Sequence, residues 1–349
     1  MKIWQRYLLG HLIRTFSFFL ICILIFYIAI DFSMNGVRFL SKETTSWLDI
    51  TANYFRHFSK FTSLFFSLSL LLAMLRVLLD LSAHREIIAL QMAGLPLKKL
   101  LAPFFFFAAI LAAVMLINFQ WISPDAQQSA DHFYKAHSSH SYLKSKVFSL
   151  ILQDGSELVY QKFDPIENEL FDVFWICSFD KIWHIKRLAV DSSPPAARGA
   201  DLFIREKNGS LEKSDSHEQR FFPEISWQQG AILQNYVPFE NRSLTTLWQQ
   251  SRGNSSDKQK SAAHLHYKLA QPVILFLMIF LAAPFAIRHS RTRQSLGLIA
   301  LSLFSFVGLM TLLDAMLILA ENQVVPPKYA IWAPLVVLLG IFQCAKSSV

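Results

Sequence analysis

Long unbroken apolar stretches constrain this chain more than any other feature. Six can be drawn, at residues 12–30, 61–79, 100–119, 269–287, 296–319 and 329–344. Most approach the roughly 20 residues that an α-helix needs to cross a hydrocarbon core of about 30 Å. Inside lipid every backbone polar group must be satisfied within the segment, which makes each run a helix. The last is the shortest and contains Pro334, which membrane helices tolerate. The first run is of span length with no small-residue cleavage site beyond it, so it reads as a retained helix and not a removable signal. The expected fold class is a polytopic α-helical membrane protein with six transmembrane helices.

Between the third and fourth runs lies a polar stretch, 120–263, that reads as β structure. Residues 147–152, the Asp154-Gly155 turn and residues 157–160 form a hairpin pattern. Further strands are expected at 171–179 and 182–190, a pairing of 202–204 with 210–211 across Lys207-Asn208-Gly209, and a continuation over 225–236. Turn signals recur about every ten residues without helical periodicity, which predicts a small antiparallel sandwich or an open roll. Residues 125–141 read as a polar helix, and 251–261 as a flexible polar return to the membrane. The expected division is thus 1–119 with three spans, 120–263 as the β domain, and 264–349 with three more.

Charge gives the orientation. The net charge is +8, but the β stretch carries 16 Lys/Arg against 18 Asp/Glu, while the remainder carries 17 against 7. A basic excess confined to membrane flanks reflects topology and anionic headgroups, and excludes a nucleic-acid partner. With the N-terminus inside, the inner segments hold Lys2, Arg6, Arg14, Arg76, Arg85, Lys98, Lys99, Arg288, Arg291 and Arg293. The first outer loop, with Arg38, Lys42, Arg56 and Lys60, partly violates that pattern. Both termini are then expected in the cytoplasm, with the β domain on the far side.

That orientation puts a short connector, residues 84–94, in the cytoplasm. Ser82 is expected to cap a helix there, and Gly94 followed by Pro96 to stop it. Glu86, Ala89 or Leu90, and Ala93 share one face, while Ile88 and Met92 line another. A helix this short is marginal on its own, so it requires a membrane surface or a partner to rest on. From the residues alone both readings stay open.

The chain has no G-x-x-x-x-G-K-S/T phosphate loop, no H-E-x-x-H and no G-x-S-x-G, and no enzyme is expected. Cys22, Cys177 and Cys344 are too scattered for a zinc site or a disulfide framework. His137, His140, His264 and His266 read as ordinary polar residues, with no metal expected. Charges near or within the spans carry more information, because they are costly in lipid. Asp31 closes the first span, with Arg38 and Lys42 just beyond it as phosphate contacts or interfacial anchors. Arg76 and Asp80 are placed for an ion pair one turn apart. Asp314 falls in the outer third of the fifth span, facing a polar cavity or snorkelling.

The connector Glu86-Ile-Ile-Ala-Leu-Gln-Met-Ala-Gly94 resembles the E-x-x-x-(M/L)-x-A-x-G element of the lipopolysaccharide-export permeases LptF and LptG. Other matches follow in order: Arg6-Tyr7-Leu8, Trp121-Ile122-Ser123-Pro124, Lys268-Leu269-Ala270-Gln271-Pro272, and Val325-Pro326-Pro327 with Trp332 and Pro334. Gln271-Pro272 and Leu313-Asp314 lean toward the LptG side. The resemblance covers essentially the whole chain, the β region in pattern more than in residues. It implies a permease subunit of an ABC transporter that extracts lipopolysaccharide from the inner membrane. Its partners would be a second LptF/LptG-type permease, a cytoplasmic LptB-like ATPase dimer that uses the ATP, and LptC/LptA-like jellyroll proteins bridging the periplasm. The β domain would be periplasmic and jellyroll-like. The chain itself would hold no cofactor. Residues 82–94 would be the coupling helix, with Arg85, Glu86, Ala89, Leu90, Ala93 and Gly94 meeting the ATPase. The substrate rim would include Asp31, Arg38, Lys42 and Asp314.

Two departures stand out. Relatives often carry prolines early in the second span, where 61–75 has none, and a basic exit from the first span, where this chain reads Ile30-Asp31-Phe32. Two other readings share these features: an ATPase-coupled scaffold that moves no lipid, and a membrane-anchored periplasmic binding domain.

Overall fold

The computed structural model describes residues 2–40, 47–124, 148–152, 154–164, 168–190, 194–206, 209–225, 238–253, 258–288 and 295–347. They fall into two compact units, one of Met1–Ser138 with Phe239–Val349, the other Ser139–Pro238. Each is taken by itself.

The first unit is helical. Its elements are α1 (Ile3–Leu40), α2 (Trp47–Ala83), α3 (Glu86–Met92), α4 (Leu97–Ile117) with a π-helical turn at Asn118–Ile122, a 3-10 turn at Phe239–Asn241, α5 (Leu244–Arg252), α6 (Lys258–Arg288), α7 (Ser295–Glu321) and α8 (Pro327–Ser347). Five helices contain segments long and apolar enough to cross a bilayer: Ile3–Met34, Tyr54–Ala83, Lys99–Ile122, Lys258–Ile287 and Leu296–Glu321. In α8 the apolar part, Pro327–Gly340, is shorter. The chain is a multi-pass membrane protein. Its helices outrun the apolar runs that announce them: α1 continues to Leu40, so Asp31 lies within the helix and does not end it. Arg56 and Lys60, expected in an outer loop, belong to α2.

Packing centres on α2 and α6. Helix α2 touches α1, α3, α4, α6 and α7, and 72% of its spanning window is buried, against 6% for α1. Small side chains permit this, since lipid supplies no hydrophobic drive between helices and close approach must. Ser59, Thr62, Ser67, Ser69 and Ala73 of α2 are buried, as are Ala270, Ala282, Ala283 and Ala286 of α6. The buried polar atoms are partly paired. Ser59 Oγ donates to Asn118 Oδ1 at 2.6 Å, and Asn118 Nδ2 returns a bond to the Ser59 carbonyl at 2.9 Å. That reciprocal pair fastens the π turn to α2. Arg76 and Asp80 form the expected ion pair at 3.2 Å.

The second unit is a six-stranded antiparallel sheet in simple chain order: β1 (Phe148–Ile151), β2 (Glu157–Asp164), β3 (Glu169–Ser178), β4 (Lys181–Ala189), β5 (Ala196–Arg205) and β6 (Leu211–Phe221). The antiparallel character expected of it is found, and the described strands make one sheet without a crossover. The hairpin turn forms as its residues dictate. Gly155 takes φ 84°, and Asp154 Oδ1 accepts from the Ser156 backbone at 3.0 Å and hydroxyl at 2.7 Å. Those bonds hold the Asp154 carboxyl below its ordinary range. Ser156 Oγ in turn accepts from the Trp175 indole at 2.9 Å. Alternate residues of the inner strands build the core: Leu158 and Tyr160, Val173 and Trp175, Trp183 and Ile185. Phe222 meets Trp175 and Trp183 edge-on. Strands β5 and β6 reach well beyond the expected 202–204 and 210–211, because β6 is almost wholly polar and gives no alternation to read. Burial pushes the Cys177 thiol up to about 11, which makes it a packing group and not a nucleophile. The expected helix at 125–141 and strand beyond 225 lie outside the described residues.

Candidate functional site

The connector forms a seven-residue helix, α3, narrower than the expected 82–94. Ser82 does not cap it, because α2 runs on through Ala83. The chain turns instead at Arg85, whose φ of 60° and ψ of 14° are left-handed. For a residue with a Cβ that conformation costs about 1 kcal/mol, and the corner is tied by Arg85 N–H to the Ser82 carbonyl at 3.0 Å and Ala89 N–H to the Arg85 carbonyl at 3.1 Å. The other end is as expected. Gly94 at φ 82° donates to Gln91 O at 2.9 Å while Leu95 donates to Leu90 O at 3.2 Å. That is the six-to-one and five-to-two pairing by which a glycine ends a helix.

Ile87, 2% exposed, pins α3 to the bundle, and Leu90 packs beside it. Most of the remainder faces out: Ile88 is 57% and Met92 85% exposed, with Arg85, Ala89, Gln91, Ala93 and Gly94 also exposed. Glu86 is half-buried at the first turn, where a carboxylate suits the helix dipole. The structure thus brings the six expected coupling residues into one corner. Leu90 alone among them turns inward to the core.

A cavity of about 320 Å³ lies in the same unit, lined from α2, the π turn, the 3-10 turn, α6 and α7. Two of its groups are cations, Lys60 and Lys268, and two are carboxylates, Glu240 and Asp314. Lys268 is buried, gives its Nζ to the Arg242 carbonyl at 2.7 Å, and stands 5.7 Å above the Phe119 ring. Asp314 accepts from the Tyr267 hydroxyl at 2.5 Å, so it faces the cavity. Arg242 lies over Phe239 at 3.9 Å and donates to Gln250 at 2.7 Å. His264 pairs with Glu321 at 2.5 Å, and His266 accepts from the Trp332 indole at 3.3 Å. Among the described residues no three His, Cys, Asp or Glu side chains are grouped to hold a metal ion.

Of the expected rim residues the structure places Asp314 in this cavity. Asp31 is on α1 and does not line it. Arg38 is on the last turns of α1, its side chain outside the described residues, and Lys42 lies outside them altogether. Lys60, Tyr267, Lys268 and Gln271 were not singled out as site residues. For Lys268 the signal existed: an ionisable group within an apolar helix is a site by default. Starting the fourth span at 269 hid it, since α6 begins at Lys258 and places Lys268 three turns inside.

The family model described as "Lipopolysaccharide export system permease LptF/LptG" matches residues 6–343. No individual curated protein matches the chain.

Proposed function

The chain belongs to this family of lipopolysaccharide export permease components, and from that premise we propose that it is one of two permease subunits of an ATP-driven lipid extractor. A transport permease of this kind works in a complex with other subunits. In our reading these are an LptB-like ATPase dimer in the cytoplasm, a second LptF/LptG-type permease, and LptC/LptA-like bridge proteins in the periplasm. ATP is consumed by the ATPase alone. The chain sits in the inner membrane with both termini cytoplasmic, as the Lys/Arg distribution favours, and the β unit is periplasmic.

The observation that carries the coupling role is the outward face of α3. Ile88 and Met92 stand in the open around the half-buried Glu86, on a helix pinned by Ile87. A seven-residue helix with two large apolar side chains in the open is stabilised by a partner that covers them. Closure of the ATPase then moves α3 with α2, to which it is packed, and narrows the lipid cavity between the two permeases. At the outer rim, phosphate oxygens of the substrate would meet Lys60, with Asp31, Arg38, Lys42 and Asp314 shaping the approach.

The test is Glu86→Lys in the reconstituted complex. Reversing the charge should cut ATP-driven lipopolysaccharide release about tenfold, equivalent to about 1.4 kcal/mol, while leaving the complex's thermal stability intact. Normal release by that variant would remove Glu86 from the coupling path.

A further inference from the structure

A groove of about 1080 Å³ runs between α1, α2 and the start of α7, sharing no lining residue with the cavity around Lys268. It lies at the end of the bundle where α2 turns into α3. Along α1 its wall is Arg6, Gly10 and Arg14, a four-residue spacing that keeps all three on one face. From α2 come Leu72, Arg76 and Asp80, again one face. Phe18 and Phe19, edge-on to each other, close the deeper end, about 6 Å along the helix beyond Arg14.

The charges do not balance. Three guanidinium groups share one carboxylate, and Asp80 is already committed to Arg76 at 3.2 Å. Arg6 and Arg14 have no acidic partner among the described residues. Nor does the helix gain from Arg6: it occupies the first turn of α1, which holds no acid and where the dipole is already positive. Topology signals explain why basic residues flank a span. They do not require arginines from two helices to converge on a groove with an aromatic floor. Basic mouth and apolar depth together match a lipid carrying a phosphate.

We propose that this groove binds an anionic glycerophospholipid of the leaflet on the α3 side, with its phosphate among Arg6, Arg14 and Arg76 and an acyl chain against Leu72 and Phe18. The planar guanidinium fork suits phosphate oxygens, and basic pockets between membrane helices hold such headgroups. Gly10 leaves the space: a Cβ there would meet nothing within 4 Å. The orientation proposed above makes this the cytoplasmic leaflet, and the inference rests on that reading only for the leaflet's name.

The full-length chain, purified with whatever subunits accompany it, equilibrated in nanodiscs of equal phosphatidylglycerol and phosphatidylcholine and then released into detergent, tests it by native mass spectrometry of retained lipid. Phosphatidylglycerol should be kept in preference to phosphatidylcholine, and the double variant Arg6→Gln/Arg14→Gln should lower its retention about tenfold. Gly10→Leu keeps every charge, improves helix propensity and fills the groove, so it should lower retention equally. Equal retention of the two lipids, or unchanged retention in Gly10→Leu, overturns the proposal. So does a cross-link from a photoreactive maleimide carried on Gly10→Cys to a helix of another subunit with no lipid kept, which would put a protein in the groove. Retention is read without ATP or lipopolysaccharide, so its outcome is independent of whether the export reading holds.

Discussion

Helices α1 and α2 are nearly equal in length, 38 and 37 residues, and both read as spans, yet they end in opposite environments. Within the spanning windows 72% of α2 is buried and 6% of α1, although Leu8, Leu12 and Phe16 of α1 still pack into the bundle core. Part of the contrast is that small side chains are interspersed along the buried face of α2. Buried α2 carries serines, threonine and alanine that let neighbours close in, whereas α1 presents Phe18, Ile21, Ile25 and Phe26, each more than half exposed. The β unit repeats the contrast in another chemistry. Strand β3 buries Leu170, Val173 and Trp175, while β6, one residue longer, is exposed nearly throughout and carries charges along the edge of the sheet that the described strands form, where they discourage unwanted strand pairing. Apolarity thus brings both helices into the membrane, and the small residues interspersed among the large ones of α2 let it pack closely in the core.

Paired truncations break this contrast most directly. Leu75→Ala in α2 removes a side chain that is fully buried. Because lipid is as apolar as the core, the loss is mainly the cavity part of a large-to-small cost, about 2 kcal/mol. Phe26→Ala in α1, where Phe26 is 69% exposed, should change the stability of the isolated chain by less than about 0.5 kcal/mol. Reversible unfolding in mixed detergent measures both. Equal losses would mean that α1 is covered within its own chain. If only association with the second permease weakens in Phe26→Ala, the α1 face is where that subunit sits.

A middle-sized effect is expected where polar groups do the packing. Asn118→Ala removes both bonds to Ser59 and leaves a buried hydroxyl and carbonyl without that partner. Interhelical hydrogen bonds of this kind contribute about 1–2 kcal/mol. Thr15→Ala in α1 removes only a bond to the His11 carbonyl of its own helix, and should cost no more than a few tenths of a kcal/mol. The same unfolding measurement ranks the two, and a Thr15 effect as large as that of Asn118 would erase the distinction between the helices.

How much of this was legible follows from the same residues. Five of the expected spans, the end of α3 at Gly94, the Asp154-Gly155 hairpin and the Arg76–Asp80 pair were readable because each depends on neighbours in sequence. The cavity was not. Lys60, Lys268 and Asp314 come from three helices, and their meeting depends on how those helices pack, which no local period encodes. The start of α3 failed for a smaller reason: a left-handed Arg85 made the turn that a serine cap was expected to make. Strand β6 was cut short because a strand exposed on both faces loses the alternation that marks strands.

The smallest expected effect concerns how that edge strand is held. Asp201 on β5 accepts from Lys213 at 2.7 Å and from Ser216 at 2.6 Å, both on β6. The Lys213 bond first and the Ser216 bond second hold its carboxyl below the ordinary range. A carboxyl lowered in the folded state stabilises that state above its unfolded pKa, and the contribution disappears as pH falls through the folded value. The pair sits at the surface, Asp201 partly and Lys213 largely exposed, so solvent screening keeps the gain slight. Amide hydrogen exchange in β6, compared between the wild type and Asp201→Asn at a single pH, isolates it. Near pH 6 the variant should exchange faster by less than about threefold, and below the folded pKa the two should converge. Strand β3, whose fastening is the apolar core of Val173 and Trp175, should show no difference at either pH. A shift in β3 as large as that in β6 would mean the sheet opens as one unit, and the division between buried and edge strands would hold for burial but not for stability.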